Sequence, residues 1–178
     1  GNHWNQDKPD GRQVCVHGFI GKLADGCIAT YQTLPWNHRG WHAGGAANDT
    51  HIGFEICEDG LTDTSYFNAV YKEAVELCVY LCKQYGLTEK DIICHSEGHK
   101  LGVASNHGDV MHWFPKHGKS MDTFRADVKS GLAPVTPIEP KKYYLVQLGA
   151  FTIKANADAM LRKVKAAGFT DAFIKYSE

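Results

Sequence analysis

The stretch from residue 52 to residue 85 reads IGFEICEDGLTDTSYFNAVYKEAVELCVYLCKQY and contains two different hydrophobic periods. Over residues 52–57 apolar side chains alternate with others, which predicts a β-strand with Glu55 on the face opposite the isoleucines. Over residues 64–85 the apolar side chains recur every three or four positions, which predicts a long amphipathic helix that ends at Gly86. A strand followed by such a helix is typical of an α/β fold.

The residues before this stretch predict two further strands. Residues 14–21 and 27–32 are β-branched and aromatic runs, and the turn signal Ala24-Asp25-Gly26 separates them. This pattern predicts a β-hairpin. Residues 33–50, rich in Gly, Asn, Trp and His, are expected to form a loop that leads into the next strand.

Beyond the long helix the pattern predicts the closing elements of one domain. Residues 91–95 (DIICH) predict a short buried strand with His95 at its carboxyl end, where open α/β sheets tend to place their sites. Residues 96–120 predict a long loop rich in His and Gly, and residues 121–128 a short closing helix. We therefore predict a central mixed β-sheet flanked by helices for residues 1–130.

The C-terminal part of the chain has a different composition. Half of the prolines fall between residues 131 and 142, which predicts an extended linker. Residues 143–178 then predict a strand (143–149), a helix (156–167) and a second strand (169–176). One such βαβ unit is smaller than the size at which a hydrophobic core normally suffices alone.

Charge and length limit the possible partners. The chain has 178 residues, 19 Lys and Arg against 20 Asp and Glu, and a net charge of -1. It therefore lacks the cationic surplus that binds a phosphate backbone or an anionic leaflet, which argues against nucleic acid and membranes as partners. Oligomeric state cannot be inferred from these features.

The cysteines and the N-terminal residues indicate the redox state and the route of export that we expect. The six cysteines lie inside apolar runs, so we expect reduced, buried thiols, and core packing rather than a disulfide for Cys78 and Cys82. The first residues have neither the basic nor the apolar segment of a signal peptide, so we expect phage-type release or a truncated start.

Residues with metal-binding and acid–base chemistry occur in three segments. His95 and the loop His107-Gly108-Asp109 offer the imidazole and carboxylate ligands that Zn²⁺ accepts in catalytic sites. Two ligands alone do not make a site. From the residues alone, Trp41-His42 could equally be a packed loop and Glu55 a solvated strand residue.

Several motifs, in order, resemble one family. The chain resembles the N-acetylmuramoyl-L-alanine amidases of the phage-lysin and peptidoglycan-recognition class over about residues 3–129. The motifs that carry this resemblance are LPWNHRGWHAGG (34–45), NDTHIGFEIC (48–57), CHSEG (94–98), NHGD (106–109) and MHWFP (111–115).

The resemblance implies a zinc hydrolase that cuts the amide between the lactyl group of N-acetylmuramic acid and L-alanine of the stem peptide. By position, His95 matches a histidine ligand, and Asp109 stands where the family has an Asp or Cys ligand. His107 falls where many relatives have a Lys that faces the developing oxyanion, and Glu55 matches the general base. Each role is chemically sound, because zinc activates water, a carboxylate moves its proton and a cation stabilises the oxyanion.

The resemblance also places a loop along the rim of the substrate cleft. Trp41 would supply a flat apolar wall, and His42 and Asn48 would supply fixed hydrogen-bonding groups. The alternative is that Trp41 packs inward and anchors a glycine-rich loop.

One departure from the family concerns the first zinc ligand. The family has a histidine at the end of an early strand, which would precede the first residues of this sequence, and His17 matches the following strand instead. We therefore expect an open sheet edge and a reduced affinity for zinc. The main alternative function is a catalytically silent module that binds peptidoglycan or muropeptide, and a third is a zinc hydrolase acting on an unrelated amide.

The C-terminal residues resemble a second family. Residues 144–151, 156–160 and 165–169 look like the first half of a sporulation-related (SPOR) repeat, a ferredoxin-like module that binds peptidoglycan glycan strands. The alternative is a generic βαβ appendage. Together the two resemblances imply a modular protein that acts on the cell wall, outside the cytoplasm.

Overall fold

The computed structural model describes residues 14–134 and 146–176. The chain divides into two compact units, Gly1–Val135 and Thr136–Glu178. The first unit contains a three-stranded sheet of β1 (Gly18–Lys22), β2 (Ile28–Gln32) and β3 (Phe54–Ile56), in the order β2-β1-β3. β1 pairs with β2 antiparallel and with β3 parallel. The predicted mixed sheet flanked by helices is confirmed.

The predicted hairpin forms β1 and β2. Its pairing runs from Gly18 opposite Gln32 to Lys22 opposite Ile28. The turn is stabilised by the Asp25 carboxylate, which accepts the backbone N–H of Cys27 at 2.9 Å. In the parallel pair, Glu55 lies opposite Phe19, at the centre of the short strand β3.

The long helix α2 (Thr64–Tyr85) has the predicted bounds. It begins where the Asp63 side chain accepts two backbone N–H groups, and it ends where Gly86 adopts a left-handed φ of 68°. Its apolar face forms most of the core with α4 (Met121–Leu132) and the sheet. Each fully buried side chain of this face contributes about 1.5–3 kcal/mol of burial free energy.

The strand predicted for residues 91–95 is wrong. Residues Glu89–Asp91 form a 3₁₀ turn, and His95 is the first residue of a short helix, α3 (His95–Lys100). The physical reason is Glu97, whose carboxylate accepts the backbone N–H of Cys94 at 3.1 Å and so stabilises a helix start.

The two predicted loops also contain short helices. The first loop holds α1 (Ala47–Thr50), and the second holds α3 and a 3₁₀ helix, Phe114–His117. The second 3₁₀ helix forms because Phe114 packs into the aromatic core beside Phe67 and Tyr71.

All six cysteines are free thiols, and no disulfide links Cys78 to Cys82. Cys78, Cys82 and Cys94 are buried as expected. The expectation of burial is wrong for Cys15 and Cys27, which are exposed because they lie at the ends of the hairpin strands, outside the core.

In the second unit the predicted helix is present as α5 (Lys154–Ala166). The predicted strands are wrong where they can be assessed, since residues 146–149 and 169–176 have no regular structure. A strand needs a paired neighbour for its backbone hydrogen bonds, and neither segment has one among the described residues. Most of the linker predicted for residues 131–142 lies outside the described residues, although residues 131–132 belong to α4. Among the described helices, none has the length and hydropathy required to cross a membrane.

Candidate active site

Three side chains from two segments converge at the start of α3. His95 is half-buried, and its Nδ1 lies 3.1 Å from Oδ2 of Asp109. The other carboxylate oxygen of Asp109 contacts Nδ1 of His107. Asp109 therefore lies between the two imidazoles, which face each other with ring centroids 5.3 Å apart.

The donor set and its geometry fit a zinc ion. His95, His107 and Asp109 each offer a ligand atom, and these atoms lie within 4.8 Å of one another. Two imidazoles and a carboxylate form one of the ligand sets that catalytic zinc sites use, with metal–ligand distances of about 2.0–2.2 Å. His95 also has an outer partner, because its Nε2 lies 3.0 Å from Oγ of Ser105. The residues present could thus hold a zinc ion.

Glu55 lies at the centre of β3, within reach of the charges of His107 and Asp109. Burial, followed by the nearby negative charge of Asp109, raises the pKa of Glu55 to about 7, and the positive charge of His107 partly opposes this shift. By surface area the residue as a whole is exposed to solvent, so the carboxylate can exchange protons with water. A carboxylate with a pKa near neutrality is suited to accept and return a proton.

Trp41 lies on the surface of the loop that precedes α1. Its side chain is 48% exposed, and the guanidinium of Arg39 lies over the ring at 4.9 Å from the centroid. Its backbone forms an isolated bridge with Cys15. The indole is therefore available as a flat wall and does not pack inward.

The ring of His42 is held by the protein itself. Its Nε2–H donates to the carbonyl of His51 at 3.1 Å, and the ring lies against Gly53. A Cβ at Gly53 would lie 2.3 Å from the ring, so only glycine fits there. Burial lowers the pKa of His42, and the lowered pKa favours the neutral imidazole.

Asn48 was predicted to bind substrate, but the structure gives it a different role. Its side chain is only 4% exposed, and Oδ1 accepts the backbone N–H groups of His42 and Ala43, both at 2.8 Å. The carboxamide oxygen is used to hold the loop in shape, because buried backbone donors need a partner.

The sequence reasoning missed two supporting residues. His17 is fully buried, its Nε2–H donates to the carbonyl of His38 at 2.8 Å, and its Nδ1 accepts the N–H of Gly53 at 3.0 Å. Ser105 contacts His95, as described above. No sequence pattern distinguishes His17 from the other histidines, but Ser105 lies two residues before His107 and could have been considered with that motif.

Comparisons with known proteins match two families. Residues 1–112 match the sequence model of the N-acetylmuramoyl-L-alanine amidase family (Amidase_2), and residues 140–178 match that of the SPOR domain. No curated protein matches the chain.

A similar solved structure is the Staphylococcus aureus hydrolase AmiA in complex with its ligand. It is 19% identical to this chain, with a TM-score of 0.56 over 74% of the chain. The match spans 60% of the length of the AmiA chain, and at this identity it shows a shared fold. Because the family model covers more than half of the sequence, the chain belongs to the N-acetylmuramoyl-L-alanine amidase family and carries a C-terminal SPOR match.

Proposed function

We propose that this protein hydrolyses the amide bond between N-acetylmuramic acid and L-alanine in peptidoglycan, with zinc as cofactor. The observation that carries the proposal is the group of His95, His107 and Asp109, close enough to Glu55 for the charges of His107 and Asp109 to shift its pKa. Family membership supports the reaction type. A bound zinc ion would supply a Lewis acid that polarises the scissile carbonyl and makes water more acidic.

His95 and Asp109 are the proposed ligands. Their facing atoms are 3.1 Å apart, a separation that two ligands of one ion adopt when each bond is about 2.0–2.2 Å. Asp109 would contribute a negative charge and His95 a neutral nitrogen, so a bound zinc ion would keep a net positive charge that stabilises an oxyanion.

Glu55 is the proposed general base and general acid. Its raised pKa means that the carboxylate accepts a proton from the attacking water and, once protonated, returns it to the leaving nitrogen of L-alanine. The strand β3 fixes its backbone through the parallel pairing with β1, so the carboxylate needs little reorganisation during the reaction.

His107 is proposed to stabilise the oxyanion. Its Nδ1 is engaged by Asp109, and the ring is largely exposed, so that Nε2–H can donate to a substrate oxygen. His107→Ala separates this role from metal ligation. Loss of an oxyanion donor would lower kcat at constant metal content, whereas loss of a ligand would lower the metal content itself.

Trp41 is proposed to form the apolar wall of the substrate site, and the neighbouring His42 to fix the loop beneath it. The SPOR unit is proposed to bind glycan strands, which would raise the local concentration of cleavable bonds around the first unit. We accordingly propose peptidoglycan as the partner and the cell wall as the place of action.

The test is release of new L-alanine N-termini from purified cell walls by the full chain. We expect release with zinc and none with a chelator. Glu55→Gln keeps the shape of the side chain but removes the base, so turnover should fall by about 10²–10⁴-fold while muropeptide binding and zinc content persist. The matched control is Glu76→Gln on the exposed side of α2.

Two results would contradict the proposal. Parent-like turnover by Glu55→Gln would remove Glu55 as the base. Tight wall binding by the parent chain without any release, in the presence of zinc, would establish the alternative function of a silent peptidoglycan-binding module.

A further inference from the structure

His95 is held from both sides of its imidazole ring. Its Nδ1 lies 3.1 Å from Asp109, and its Nε2 lies 3.0 Å from Oγ of Ser105. A rotation of the ring would lose both contacts at once. The hydroxyl of Ser105 therefore helps to fix which nitrogen faces Asp109.

Ser105 is itself fixed by backbone hydrogen bonds to two segments. Its N–H donates to the carbonyl of Ala43 at 2.8 Å. The two residues before it, Val103 and Ala104, donate their N–H groups to the carbonyl of Gly98 in α3 at 2.9 and 3.2 Å. Ser105 thus joins the helix that carries His95 to the loop that carries Trp41.

The glycines of that loop allow this close approach. Gly44 has a left-handed φ of 68°, and a Cβ at this residue would lie 2.8 Å from Oγ of Ser105. A Cβ at Gly45 would lie 2.5 Å from the carbonyl oxygen of Val103. The backbone of the loop therefore packs directly on the segment that positions His95, without side chains between them.

We propose that Ser105 is a positioning residue that orients His95 for metal binding and couples it to the substrate loop. This inference rests on the proposed function, because it takes His95 as a zinc ligand. With Nδ1 as the ligand, Nε2–H would donate a hydrogen bond to Oγ of Ser105. Loss of such an outer partner typically reduces metal affinity by about 10–100-fold.

The first experiment titrates the full chain with Zn²⁺ and with Co²⁺. Calorimetry measures the binding of both ions, and the visible spectrum also reports the binding of Co²⁺. Ser105→Ala should weaken binding by about 10–100-fold, and Ser105→Thr, which retains the hydroxyl, should restore most of it. The matched control is Ser65→Ala on the exposed surface of α2, which should bind like the parent. Circular dichroism confirms that each variant is folded.

The second experiment reads His95 directly in the metal-free protein. Long-range ¹H–¹⁵N spectra report the protonation of each imidazole nitrogen. Ser105→Ala should shift the His95 ring resonances and leave those of the buried His17 unchanged, and Ser105→Thr should reverse the shift.

The two experiments distinguish the claim that the site binds metal from the claim that Ser105 orients His95. If the parent binds metal and Ser105→Ala binds it equally well, the inference about Ser105 is wrong. Unchanged His95 resonances in Ser105→Ala overturn it as well, whether or not metal binds. If the parent binds no metal, the proposed function fails, and the spectra still decide whether Ser105 orients His95.

Discussion

His17 and His95 show how the same residue type serves two purposes. His17 is fully buried, and both of its ring nitrogens are bonded to backbone groups of Gly53 and His38. His95 keeps one edge towards Asp109 and has a hydroxyl as its other partner. His17 joins the loop before Trp41 to the residues before β3. His95 keeps a ring nitrogen beside Asp109, where a metal ion could bind.

Replacing His17 should therefore affect stability. In His17→Leu the part-buried N–H of Gly53 and carbonyl of His38 lose their partners. A fully buried unsatisfied group costs about 1–3 kcal/mol, and a part-buried one costs less. We expect the free energy of unfolding to fall by about 2–4 kcal/mol in urea titrations. His38→Gln, which alters an exposed side chain and keeps the backbone carbonyl, is the control. A loss no larger than that of the control would show that the two hydrogen bonds contribute little.

Among the elements, α2 and α3 differ in how far the sequence predicts them. α2 has 22 residues, enough for the apolar period to repeat six times, and Gly86 marks its end. α3 has six residues, too few to show a helical period of apolar side chains. The apolar pair Ile92-Ile93 just before it favours a strand. Its start depends on Glu97, which is bonded to Arg125, 28 residues away. Such a contact cannot be inferred from local pattern.

The candidate site follows the same division. The resemblance to amidases predicts roles for His95, Asp109 and Glu55, because their chemistry is carried by residue type and motif. The loop contacts were not predictable, since the burial of Asn48 and the partner of His95 depend on how distant segments pack. The strands of the C-terminal unit were predicted from residue type alone, but whether a strand forms depends on a paired neighbour. They are not observed in residues 146–149 and 169–176.

The start of α3 should respond to acid. The Glu97 carboxylate accepts two hydrogen bonds from Arg125, both at 3.0 Å, and one from the backbone of Cys94. Burial opposes the charged form, but these hydrogen bonds outweigh it and lower the pKa of Glu97. A pKa that is lower in the folded state contributes stability above the unfolded value, about 4.3, and this contribution is lost as pH falls through the folded value.

We therefore expect the parent chain to be more stable than Glu97→Gln by about 1–3 kcal/mol at pH 7. The difference should shrink as the pH falls below about 4. Urea unfolding at pH 7, 5 and 3.5 measures it, with Glu76→Gln as an exposed control. A difference that is absent at pH 7, or that stays constant down to pH 3.5, would contradict this account of α3.

At the scale of the whole molecule, the two units differ in packing. The core lies in the first unit, around α2, α4 and the sheet. In the second unit, α5 has no buried residue, and several aromatic and aliphatic side chains near it are exposed. The chemistry proposed for the protein resides in the first unit, and the second is proposed to hold it on the cell wall.

The central claim is that His95 and Asp109 hold a zinc ion beside Glu55. Crystals of the full chain grown with zinc, measured on both sides of the zinc absorption edge, test it most directly. The account predicts an anomalous peak at about 2.0–2.2 Å from Nδ1 of His95 and from a carboxylate oxygen of Asp109. Zinc bound elsewhere with none at this position, or no bound zinc at saturating concentration, would contradict it.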